Sequence, residues 1–152
     1  MAVTPEAVKE LRDKTGISVM ECKKALEAAG GDMQKALEFL SARSAEVAAK
    51  KAGRELGAGV VSSYIHATGQ VGAIVLLSCE TDFVSKNEEF AALARDIAMH
   101  AAAMRSPSVE ALLGEAFIKD PSKTVADLVS GAVQKFGERT EIGALSVVSV
   151  GQ

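Results

Sequence analysis

The chain has 152 residues, 48% of them hydrophobic and 24% charged, with a formal net charge of −3 at pH 7. That is enough apolar material to bury a core in one ordinary domain or two small ones. The acidic balance, the single tyrosine and the lack of tryptophan argue against a nucleic-acid binder, which needs a basic face with stacking aromatics.

The first helix is expected to open at Thr4, with Pro5 in the first helical position, and to end at Gly16, placing Val8 and Leu11 on its apolar side. Ser18 and Glu21 have the spacing of a capping box for a second helix that buries Cys22, Ala25, Leu26 and Ala29 and stops at Gly30-Gly31. Asp32 caps a third, with Met33, Ala36, Leu37 and Leu40 inward. Residues 1–42 thus read as a three-helix head, marginal alone by the usual size argument. Residues 43–55, with Lys50, Lys51 and Arg54, read as a basic helical linker interrupted at Gly53.

Residues 56–152 read as an α+β core. Val60 to His66 and Val71 to Cys79 are β-runs joined by Ala67-Thr68-Gly69-Gln70, a hairpin signal. A helix from Glu88 to Met104 carries Phe90, Leu93, Ile97, Ala101 and Met104 on one face. A second helix, Val125 to Phe136, is capped by Thr124 with Asp127 and closed by Gly137, and it leads into a last alternating strand, Ile142 to Val150. The expected fold is α+β: the helical head, then a three-stranded antiparallel sheet with helices on one face.

The run Cys79-Glu80-Thr81-Asp82-Phe83-Val84 follows directly on the apolar strand, and Ser85 with Glu88 reads as a capping box for the next helix. A phenylalanine in so short a loop has few neighbours from its own domain. It either serves a partner's core or folds back as a plug over the sheet end.

Motifs for chemistry are missing. There is no GxxxxGK[ST] run, and Gly57-Ala58-Gly59 lacks the third glycine and the strand–helix context of a phosphate loop. His66 and Cys79 cannot form a dyad, because a turn at residues 67–70 sets Ala58 opposite Cys79 and leaves the pair about eight rises, ~26 Å, apart. His100 has no second ligand one helical turn away and is expected to be a half-buried packing histidine. No apolar stretch is long enough to span a bilayer, Met1 to Gly16 lacks the apolar core of a signal peptide, and Cys22 and Cys79 have no CxxC spacing. The expectation is a cytoplasmic protein with no cofactor, no metal and no enzyme site, away from membranes.

The head VKELRDKTGISVMECKKALEAAGGDMQKALEFL, the link AAKKAGRE and above all CETDFVSKNEEF resemble bacterial and organellar elongation factor Ts, the exchange factor for elongation factor Tu. The similarity is dense from Val8 to Phe90 and thinner from Phe117 to Val150. The resemblance implies a ubiquitin-associated-like head, a core that grips elongation factor Tu, and faster release of GDP from it without covalent chemistry. It implies a cytoplasmic setting, or the matrix or stroma of an organelle.

By the same resemblance the exchange wedge falls on Thr81, Asp82, Phe83 and Val84, with Asp82 and Phe83 pressing on the partner beside its magnesium and phosphate site. The head contact falls on Leu11, Val19 and Met20, and a further contact on His66 at the hairpin tip. Leu11 also fits an ordinary core position, whereas Val19 and Met20 lie in the first turn after a cap, at the bundle's edge. Two departures stand out. Position 19 is valine where relatives often carry methionine, and only a dozen residues separate Met104 from Phe117 where longer members insert a helical arm. With one half-core, the chain is expected to form a homodimer. A rival reading, an adaptor that uses only the head to bind a peptide or a ubiquitin-like domain, makes the body a scaffold.

Overall fold

Residues 3–151 are described by the structure, a computed structural model. Met1, Ala2 and Gln152, at the outer ends of the expected head and core, lie outside the described residues. The head starts where its caps place it. The Thr4 hydroxyl accepts the Ala7 N–H at 3.1 Å ahead of α1 (Pro5–Thr15), and Gly16 closes that helix in the left-handed conformation, φ 70°. Ser18 caps α2 (Val19–Ala28) by accepting from Glu21 N–H, and Asp32 caps α3 (Met33–Lys50) by accepting from Lys35 N–H. Leu11, Cys22, Leu26, Ala36 and Leu40 form the head's core.

The third helix differs from expectation. It does not stop after Leu40 to restart at Ser44 but runs unbroken to Lys50, with Gly53 beyond its end. Continuity past Leu40 is supported by Ser44, which is buried and donates its hydroxyl proton to Gln134 of the body. The second half of α3 is therefore the head's docking surface on the body, and Lys51 Nζ reinforces it by donating to Gly137 O at 2.9 Å.

The body begins with β1 (Ala58–Ile65) and β2 (Val71–Cys79), antiparallel, with Ala58 opposite Cys79 and Ile65 opposite Gly72. A single helical turn, α4 (Asp82–Ser85), leads into α5 (Glu88–Met104). Then come α6 (Val109–Gly114), a small hairpin of β3 (Ala116–Phe117) and β4 (Asp120–Thr124), α7 (Val125–Phe136), and β5 (Glu141–Ser149). The main sheet has the order β1-β2-β5, all antiparallel, with an irregularity between Leu76 and Leu77. The fold is thus α+β, with helices on one face of a three-stranded antiparallel sheet.

Alternation decides which face is covered. Ala73, Val75, Leu77 and Cys79 of β2 point inward and are buried against Phe90, Ala94, Ile97 and Ala101 of α5. The α7 helix reaches the same core through Val125 and Val129, and Phe136 meets Phe90 edge-to-face at 5.6 Å. On the other face Val61, Ile65, Ile74 and Val148 stand exposed.

His100 is fully buried, not half-buried as its place on α5 suggested. Its Nδ1 accepts the Ile118 N–H at 3.1 Å, which leaves the proton on Nε2, 3.0 Å from the Glu115 carboxylate. The short stretch after α5 folds back over this histidine and supplies both partners.

Candidate functional site

The segment 79–87 is shaped by two apolar residues that cannot both face inward. Adjacent positions on a helical turn diverge by about 100°. Val84 takes the core side of α4 and is buried, so Phe83 points to solvent with 93% of its surface exposed. The plug over the sheet end is therefore excluded for Phe83. Thr81 and Asp82 beside it are also exposed.

The helix α5 starts at Glu88 as expected, but its cap differs from the sequence reading. The cap is Asn87, whose side-chain oxygen accepts the Glu89 N–H at 2.8 Å. Ser85 is instead the last residue of α4 and donates its hydroxyl to Asp82 O at 3.3 Å. Asparagine and serine are nearly equal caps, and the added helical turn shifts the choice by two residues.

Behind the exposed turn lies a cluster that sequence spacing did not reveal. Glu138, just beyond α7, accepts the backbone N–H groups of Glu80 (3.1 Å) and Thr81 (2.9 Å) and the Thr81 hydroxyl (2.5 Å). Glu80 in turn accepts the Arg139 N–H and pairs with Arg54 at 3.5 Å. Residues 57 to 59 apart in sequence share these bonds, so no local pattern announces them.

The remaining positions lie apart. His66 is exposed at the hairpin tip with Nδ1 3.2 Å from the Tyr64 hydroxyl, at the opposite end of β2 from Phe83. The hairpin register separates the two ends by roughly 25 Å. Val19 (51% exposed) and Met20 (66%) face outward from the start of α2, whereas Leu11 is at 0% exposure and its side chain holds the bundle together.

Both thiols are buried, and burial pushes their pKa values up; for Cys79 the nearby Glu138 charge adds to the effect. Among the described residues no group of three or more His, Cys, Asp and Glu side chains could hold a metal ion, and no helix is long and apolar enough to cross a membrane. A cleft of about 570 Å³ between α3 and α7 is lined by none of the positions expected to act.

Comparison with known proteins gives this arrangement a family. A family model described as Elongation factor TS matches residues 80–152, a span that starts one residue before the exposed turn and includes Glu138. Elongation factor Ts of Leptospira biflexa is 37% identical over 196 aligned residues, covering 99% of this chain and 99% of the relative. The chain belongs to the elongation factor Ts family. The protein of that name from Desulforamulus reducens is 46% identical over 149 residues (88% of this chain, 69% of the relative), and that from Thermosipho melanesiensis 55% over 102 (67% and 52%). The Leptospira alignment occupies 196 positions against 152 residues here, so at least 44 of its positions have no residue in this chain.

Proposed function

We propose that the chain is a guanine nucleotide exchange factor that binds elongation factor Tu carrying GDP, perturbs its magnesium and phosphate site with the 81–84 turn, and so promotes GDP release. One observation carries the reading beyond family membership: Phe83 is a large aromatic held almost fully in solvent on a turn whose neighbour Val84 is anchored in the core. Such a residue is positioned for another molecule's interior.

The physics of exchange is linkage. A factor releases GDP only by binding the nucleotide-free partner better than the loaded one, and the preference weakens GDP by the same factor. Burying ~150 to 250 Å² of an aromatic at about 25 cal/mol per Å² makes a few kcal/mol of differential contact, before ordering costs are subtracted. Asp82 brings a carboxylate to the same place, where it competes with phosphate oxygens for donors and metal. No covalent step is involved, and the setting is the cytoplasm or an organelle that translates its own messages. Because the turn, the hairpin tip at His66 and the head residues Val19 and Met20 lie on separate elements, the fitting partner is a macromolecule that spans them.

The test is stopped-flow release of a fluorescent GDP from elongation factor Tu. The chain accelerates release, and Phe83→Ala slows it about tenfold at saturating factor, the effect of ~1.4 kcal/mol. An unchanged plateau removes Phe83 from the mechanism.

A second copy of the chain is the other partner we propose. The outer face of the sheet is largely apolar: Val61, Ile65, Ile74, Val148 and Val150 are exposed there beside Leu76, glycines, serines and Ala144, while Glu141, at its end opposite Ser78, is paired with Arg139. Two such faces packed in an aligned, two-fold sandwich cover each other. Sedimentation equilibrium at micromolar concentration gives the dimer mass for the wild type and a monomer for Val148→Asp. A wild type that stays monomeric overturns the pairing.

A further inference from the structure

We infer that Glu138 is a positioning residue for nucleotide exchange: its carboxylate holds the backbone of Glu80 and Thr81 and thereby fixes the direction in which Phe83 projects. The inference rests on the reading of Phe83 as the working contact. It starts from a shortfall in α4. A helix of four residues is far too short to hold itself together, and it lacks its own cap. Thr81 occupies the N-cap position and is a residue type that caps well, yet its side chain makes no cap bond. The hydroxyl is turned instead to Glu138 Oε2, at 2.5 Å.

The rest of the clasp points the same way. Gly137 ends α7 with φ 76°, a conformation that costs a side-chain-bearing residue about 1 kcal/mol or more, and the chain reverses there to bring residue 138 to the end of β2. Glu138 Oε1 then accepts two successive backbone N–H groups, from Glu80 and Thr81, and hydrogen bonds to a charged acceptor are about twice as strong as neutral ones. The Glu80 carboxylate returns the contact to Arg139 N–H, and the Cys79 thiol donates to Thr81 O at 3.3 Å. Glu138 itself is fixed from behind, since its carbonyl accepts the hydroxyl of buried Thr140. Val84 anchors the turn on one side and this clasp on the other, and Phe83 sits between the two.

A preformed turn spares the ordering cost that a loose one incurs on binding. Losing the clasp therefore lowers the exchange plateau through Phe83, with the head contact unaffected. The experiment is a double-mutant cycle on the full chain, read as release of fluorescent GDP from elongation factor Tu. Glu138→Ala lowers the plateau about fivefold, whereas Glu138→Gln, which keeps an acceptor oxygen for the two N–H groups, recovers most of it. In the Phe83→Ala background Glu138→Ala has no further effect. Amide hydrogen exchange at residues 82–85 rises in Glu138→Ala and not in Phe83→Ala.

Equal losses from Glu138→Ala with and without Phe83, or a full plateau in Glu138→Ala, overturn the positioning role while leaving Phe83 in place. A silent Phe83→Ala overturns the exchange reading itself, and the inference with it. Should Glu138→Ala fail to fold, Thr81→Val removes one arm of the clasp alone. It must then lower the plateau of the otherwise wild-type chain and not that of the Phe83→Ala variant, or the inference fails.

Discussion

Two phenylalanines lie on the short elements that flank α5, Phe83 in α4 and Phe117 in β3, and the chain treats them oppositely. Phe83, on the N-terminal side, is 93% exposed, whereas Phe117, on the C-terminal side, is 6% exposed and packs 5.8 Å from the His100 ring. Neither connection is long, so brevity alone does not force an aromatic outward. The difference lies in what α5 and its surroundings offer. After Met104 the chain turns at Arg105, in the left-handed conformation at φ 49°, and folds over His100, whose ring gives the Ile118 backbone N–H an acceptor and Glu115 a donor. Before Glu88 the Glu138 carboxylate is directed at residues 80 and 81, and Phe83 is left in solvent. The exposed ring is a consequence of how its support is built, and that support fixes the backbone while leaving the side chain free for a partner.

The largest effect expected is on the buried member of the pair. Phe117→Ala should destabilise the fold by ~3 kcal/mol, the low end for emptying a buried aromatic site. Urea unfolding followed by circular dichroism measures it, which suits a chain with no tryptophan. A loss below about 1 kcal/mol would mean that the His100–Glu115 pair alone carries the connection, and the contrast between the two aromatics would then be one of exposure without energetic weight.

The contrast also marks how far the sequence could be read. The bounds of α7 follow from its caps and periodicity, those of α5 from periodicity, and the register of the hairpin from its turn, because these signals are local. The solvent-side place of Phe83 was equally legible as one of two alternatives, since it rests on a loop between a finished strand and a starting helix. The continuity of α3 was not, because the basic run after residue 42 reads as a separate linker until Gln134, 90 residues away, supplies a partner for Ser44. Nor was the fold of residues 105–118, where a buried histidine meets donors and acceptors 15 and 18 residues further on. Glu138 belongs to the same class. Its function depends on a meeting of β2 with the end of α7, and tertiary contacts of that kind leave no periodic trace.

The head repeats the contrast on a smaller scale, with Leu11 buried and Met20 exposed. Met20→Asp should raise the factor concentration needed for half-maximal exchange by about fivefold, an effect of ~1 kcal/mol, and leave the plateau nearly intact. Folding should tolerate the change, since Met20 lies in the first turn of α2, where a negative charge faces the positive end of the helix dipole. Titrating the factor in the exchange assay separates midpoint from plateau. A lower plateau at an unmoved midpoint would show that the head acts on the exchange step itself, and the division between a gripping head and a working turn would fall.

The smallest expected change is the most discriminating for the pair at α5. Phe83→Ala should leave thermal stability within ~0.5 kcal/mol of the wild type, because an almost fully exposed ring has little burial to lose. A slight gain is favoured, as alanine is the better helix former by about half a kcal/mol and Phe83 sits inside α4. The same substitution that slows nucleotide release should therefore be silent by calorimetry or urea unfolding. A destabilisation approaching that of Phe117→Ala would mean that the ring folds onto the body in solution, and the exposed aromatic could no longer be assigned to a partner.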